Sequence, residues 1–143
     1  MRCVSLLIAV ALVAFAAKTV FACSCAAEPP PKEALKRAKA VFIGKVIKIE
    51  EVGKLGRFGA VKATIEVSIN YKGVKTKQVE VWTTNDQASC GYLFEKGSSY
   101  LVYCYGYEKK LLTSICSRTR NMKNAKADIE VIGPGKIVKA EKE

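Results

Sequence analysis

Two cysteines one residue apart, Cys23-Ser24-Cys25, stand directly behind a segment with the marks of an export signal, and no other feature restricts the fold so strongly. Met1-Arg2-Cys3 is a short basic start, Val4 to Ala17 is almost free of polar residues, and Val20-Phe21-Ala22 precedes the expected cut. This three-part pattern belongs to a secretory signal rather than to folded structure. The apolar run falls short of the roughly 20 residues that span a bilayer, so a membrane anchor is the weaker reading. A lipoprotein signal also ends before a cysteine, but Phe21 is bulky for the small-residue position such a signal has there. Residues 1–22 are therefore expected to be removed, leaving one secreted, extracellular domain over 23–143 that begins at Cys23.

Cleavage after Ala22 leaves 121 of the 143 residues, enough for one domain with a modest core. Cys3 leaves with the signal, and Cys23, Cys25, Cys90, Cys104 and Cys116 stay. In an exported domain these are expected to be mostly disulfides rather than metal thiolates. Five is an odd number. Two bridges with one leftover thiol is the simplest arithmetic, and an intermolecular bridge the next.

The chain has no histidine, which removes the commonest metal ligand and the commonest general base. Its 13 acidic residues are scattered without a paired signature, so an enzyme is not expected. Cys104 could be offered as a nucleophile, but between Val102 and Tyr105 it reads as core.

Losing Arg2 and Lys18 takes the formal charge from +11 to +9. That balance favours anionic surfaces, sulfated polysaccharide among them. No basic helix, paired zinc-finger ligands or glycine-rich phosphate loop is present, and nucleic acid is not an expected partner. Tyr103, Tyr105 and Tyr107 could form a stacking platform for single strands, although packing and a partner surface explain them better.

Pro31 suits a first helical position, with Lys32 to Lys39 behind it and Ala34, Leu35 and Ala38 on a narrow apolar face. Val41–Ile49 reads as a strand with a bulge at Gly44, and Glu50–Gly59 as a glycine-marked loop or hairpin connection. Between Val61 and Asn70 apolar and polar residues alternate strictly, the pattern of a half-buried strand. Further strands are expected over Gln78–Thr84, Tyr100–Tyr105 and Leu111–Ile115, with a helix over Asn121–Glu130 and a frayed charged tail from Lys136. Five or six short strands fit a barrel or an open antiparallel sandwich.

Cys23-Ser24-Cys25 with its following prolines, Ala40 to Val46, Tyr71-Lys72-Gly73, Cys90-Gly91, Gly97, Tyr100 to Tyr103 and Ser114 to Thr119 together resemble the netrin-type module. Within it they are most similar to the inhibitory domain of the tissue inhibitors of metalloproteinases. The resemblance covers nearly all of the mature chain, while the second cysteine-rich domain and the third bridge of the larger inhibitors have no counterpart in it. It implies an all-β fold with flanking helices, a five-stranded Greek-key barrel of the oligonucleotide-binding (OB) type. It also implies bridges Cys23 to Cys90 and Cys25 to Cys116; Cys104 has no counterpart in that scheme and is expected, on the row with Tyr100 and Val102, to be a buried free thiol.

The function implied is inhibition of a zinc metalloproteinase by a monomer with no cofactor of its own. The free amine and carbonyl of Cys23 would chelate the target's catalytic zinc and displace its nucleophilic water. Ser24 would enter the main specificity pocket, Cys25, Ala26 and Ala27 would continue along the cleft, and Ala88 and Ser89, tethered by Cys90, would fill its other side. Relatives that inhibit nothing give the alternative, a module that binds extracellular matrix, heparin-like polysaccharide or a protein partner.

Overall fold

The computed structural model of the chain describes residues 23–107 and 109–139. The expected export signal over 1–22 lies outside the described residues, as do the last four positions of the tail.

Helix α1 (Pro31–Arg37) begins where the proline cluster ends. Pro31 at its first turn has no N–H to leave unsatisfied, and the Pro30 carbonyl accepts from the N–H groups of Glu33 and Ala34 at 2.9 Å. The helix stops at Ala38, whose backbone is extended. Lys72 Nζ donates to the carbonyls of Leu35 at 3.2 Å and Lys36 at 2.6 Å, closing the C-terminal end.

Strands β1 (Ala40–Leu55) and β2 (Phe58–Lys72) form a long antiparallel hairpin. The expected end of the first strand at Ile49 is too early. Gly53 and Gly56 have φ of 83° and 62°, so they make an irregularity and a tight tip inside the hairpin rather than a separate loop. At Gly44 the register shifts, and a Cβ there would stand 2.6 Å from the Glu66 carbonyl oxygen. In β2 the alternation read from sequence is realised: Ala63, Ile65 and Val67 are buried while Glu66 and Ser68 are exposed.

The remaining strands are β3 (Gln78–Thr84), β4 (Ser99–Tyr107), β5 (Lys110–Leu112), β6 (Arg120–Asn121) and β7 (Lys136–Ile137). They join one sheet in the order β1-β2-β3-β5-β4-β6, with β7 on β2 and β1 also pairing with β4. All pairings are antiparallel except β3 with β5. The five-stranded Greek-key OB barrel expected from the resemblance is thereby corrected to a mixed, largely antiparallel sheet, seven-stranded among the described residues, with flanking helices, and the netrin and OB labels are dropped with the barrel. The physical source of the difference lies in short segments. β6 and β7 are two-residue ladders that leave no period-2 pattern. The parallel β3–β5 contact is made by a strand that ends at Leu112, because Thr113 turns its hydroxyl onto the Tyr103 carbonyl at 3.0 Å instead of extending to Ile115.

The expected helix over Asn121–Glu130 is divided. Asn121 accepts from the Lys123 N–H at 3.0 Å and caps a 3-10 turn over Met122–Asn124; helix α2 (Lys126–Ile132) follows and ends at Gly133. The sheet has a core on each face. Phe42, Val46, Ile65, Val67, Val81 and Val102 pack on one side, while Val41, Ile43, Leu101 and Tyr103 meet Ala34 of α1 and Ala125 on the other. The amino end of β1 is therefore buried on both faces, which is why Ala40 to Ile43 is an unbroken apolar run.

Candidate functional site

Residues 23–30 form neither helix nor strand. Cys23 is half-buried and bonded to Cys90, Cys25 is bonded to Cys116, and the Cα pairs are 5.1 and 5.3 Å apart. The bridges close 67 and 91 residues of sequence. Both sulfurs of the strap turn to the body of the protein, and Ser24, Ala26 and Ala27 are left exposed.

The Cys90 anchor is a built loop. Asp86 accepts from the Ser89 N–H at 2.8 Å and from its hydroxyl at 2.9 Å, an Asx-type turn that fixes the direction of the chain. The Gly91 N–H donates to the Asp86 carbonyl at 2.8 Å, the Cys90 N–H to Gln87 at 3.0 Å, and Thr84 Oγ1 to the Ser89 carbonyl at 3.0 Å. Cys90 itself has φ of 66°, a conformation sparsely populated by non-glycine residues. Gly91 is required by close approach, since a Cβ there would overlap the Thr84 carbonyl oxygen. Ala88 is exposed at the apex and Ser89 half-buried, its hydroxyl occupied by Asp86.

The Cys116 anchor rests on hydroxyls. Thr113 Oγ1 lies 2.7 Å from both Ser117 Oγ and Thr119 Oγ1, and the Tyr103 N–H donates to Thr119 at 3.0 Å. Ser114 and Ser117 complete the turn, with Ser117 Oγ donating to the Ser114 carbonyl at 2.8 Å. The two anchors are tied to each other by the Ile115 N–H on the Cys90 carbonyl at 3.1 Å. One rigid body therefore holds Cys23, Cys25 and the Ala88-Ser89 apex together.

A second grip on the strap was not legible in the sequence. Arg118 Nε and Nη2 donate to the two carboxylate oxygens of Asp128 at 2.7 and 2.8 Å, while its Nη1 donates to the Pro29 carbonyl at 3.0 Å and to Glu28 at 3.2 Å. Arg120 reaches the same Glu28 oxygen. The Asp128 side chain is only 5% exposed and that of Arg118 14%. Donation of its hydrogen bonds to the Asp128 carboxylate holds the Arg118 guanidinium even more firmly protonated than usual. The only sequence signal was an acid three residues after Ala125, on the helix face that packs inward.

The sulfurs of Cys23, Cys90 and Cys116 lie within 4.8 Å of one another. As thiolates they would suit a soft cation, but in disulfides they carry no such charge. Among the described residues Cys104 is the free cysteine, 1% exposed among the apolar residues of β4, and burial pushes its thiol pKa up, away from a reactive thiolate. Tyr103 is buried and Tyr105 exposed. With both bridges closed the clustered sulfurs are not thiolate ligands, and the strap's own carboxylate, Glu28, is engaged by Arg118 and Arg120.

Among known proteins, no family model and no curated protein matches the chain.

Proposed function

We propose that the mature protein is a secreted inhibitor of zinc metalloproteinases that acts through its first residue. The observation carrying this reading is an exposed strap, Ser24 to Ala27, held beside the Ala88-Ser89 apex by two disulfides two residues apart. An α-amine titrates near pH 8, so its neutral form is accessible for metal binding, whereas an amide nitrogen offers no comparable lone pair. The amine and carbonyl of Cys23 close a five-membered ring with the target's zinc and take the place of the water that the protease uses as nucleophile. The Cys23 sulfur fixes the ring's position through Cys90 and is not itself a ligand. Ser24 fills the adjoining specificity pocket, with Cys25, Ala26 and Ala27 along one side of the cleft and Ala88 and Ser89 along the other. These are small side chains, so affinity comes from pre-organisation more than from buried area. The order of Cys23, Cys25, Cys90 and Cys116 resembles that of the tissue inhibitors of metalloproteinases, and that resemblance in sequence points to the same reading.

Protein beginning at Cys23, with its bridges mapped by mass spectrometry, is expected to inhibit a zinc endopeptidase with one-to-one stoichiometry. A correctly cut, folded protein without effect on a panel of such enzymes would sink the reading.

A second reading, binding of matrix polysaccharide, is favoured by one groove. It is bordered by Lys39, Lys72, Lys109 and Lys110, and by Arg37, which pairs with Glu33. Retention on heparin that weakens steeply with salt supports that reading, and salt-insensitive behaviour counts against it.

A further inference from the structure

Glu28 and Arg118 are 90 residues apart in sequence and joined in space, where the strap approaches helix α1. The two disulfides fix the strap at Cys23 and Cys25, but no covalent tie holds the stretch from Ala26 to helix α1. Between the Cys25 bridge and helix α1, which packs on the core through Ala34, residues Ala26 to Pro30 form neither helix nor strand and have freedom to bow outward. Arg118 removes that freedom with all three guanidinium nitrogens engaged, two on Asp128 of α2 and the third on the strap's Glu28 carboxylate and Pro29 carbonyl. The backbone of Arg118 is held at φ 66°, outside the usual range for such a residue, two positions after the Cys116 anchor. Arg120 adds a second cation on Glu28.

We infer that Arg118, oriented by Asp128, is a positioning residue for the terminal strap, so that helix α2 takes part in presenting Cys23 to a target. This inference rests on the inhibitory reading above. The planar fork matters as well as the charge: a lysine is a point charge and cannot bind Asp128 through two parallel bonds while holding the strap with a third nitrogen. A main-chain acceptor at Pro29 also means that no side-chain change in the strap alone abolishes the grip.

The test compares wild type with Arg118→Lys and Glu28→Ala. Glu28 is exposed, and its removal leaves the Arg118–Asp128 pair intact, so this variant folds even if Arg118→Lys does not. Two readouts are taken: dissociation from a zinc endopeptidase, and amide hydrogen exchange at Ala26, Ala27 and Glu28. Arg118→Lys is expected to dissociate about tenfold faster, the loss that follows when ordering of the strap must occur on binding. Glu28→Ala should show a smaller change in the same direction. In both variants the strap amides should exchange faster while those of the β1–β2 hairpin keep their protection. Unchanged exchange in the folded variants overturns the grip. Faster exchange with unchanged dissociation overturns its role in presentation. If wild type inhibits no zinc protease, the functional reading falls, while the exchange data still decide whether Arg118 orders the strap.

Discussion

Cys23 and Cys116 are bonded to different partners, yet their Sγ atoms lie 3.9 Å apart. The two bridges therefore pack as one block in which the strap, the Cys90 loop and the Cys116 turn cannot move independently. Each bridge closes a long loop, so its removal restores substantial freedom to the unfolded chain. Replacing Cys25 and Cys116 together by serine is expected to cost roughly 4 kcal/mol in urea unfolding. Because the bridges touch, removing both should cost less than the sum of the separate losses. Strict additivity would mean that the bridges act as independent staples.

Gly91 controls the geometry of the Cys90 anchor. An added methyl would collide with the Thr84 carbonyl, which belongs to β3 and cannot move without disturbing the sheet. Gly91→Ala is expected to lower stability by about 2 kcal/mol, in the range of overpacked cores, and to displace the Ala88-Ser89 apex. Urea midpoints measure the first effect and protease inhibition the second. A variant with wild-type values in both would show that the loop is not tightly specified.

Alkaline unfolding follows from one half-buried and one buried tyrosine. Tyr92, packed edge-on to Tyr100, and Tyr103, beside Asp128, have pKa values pushed up to about 12, chiefly by burial. An unfolded tyrosine titrates near 10. Their contribution is intact below pH 10. Between about 10 and 12 the unfolded chain gives up protons that the folded chain keeps, so stability falls as pH rises. Tyrosinate absorbance followed alongside urea midpoints should show two phenols titrating only as the protein unfolds. All tyrosines ionising near pH 10 in a folded protein would contradict this.

What could be read from sequence was whatever rests on local periodicity or punctuation. The alternation from Val61 to Asn70 placed the centre of β2, Gln78–Thr84 is β3 as expected, and Pro31 opens α1. Harder to see was the run of β1 past Ile49 to Leu55, because glycines that usually mark loops here serve the hairpin. The parallel pairing of Val81 with Leu111 and the two-residue strands depend on tertiary contacts that no window of sequence contains. For the site, residues near the cysteines were nameable in advance. The Arg118–Asp128 pair was not, since its partners are ten residues apart and meet through a divided helix.

The most direct test of the proposed mechanism is to place one extra alanine before Cys23 and measure inhibition of a zinc metalloproteinase beside the unextended protein. The extension turns the chelating amine into an amide and touches neither bridge, so the melting temperature should stay the same while inhibition falls by at least about a thousandfold, the scale of a lost metal–ligand pair. Equal inhibition with and without the extra residue would contradict chelation by Cys23.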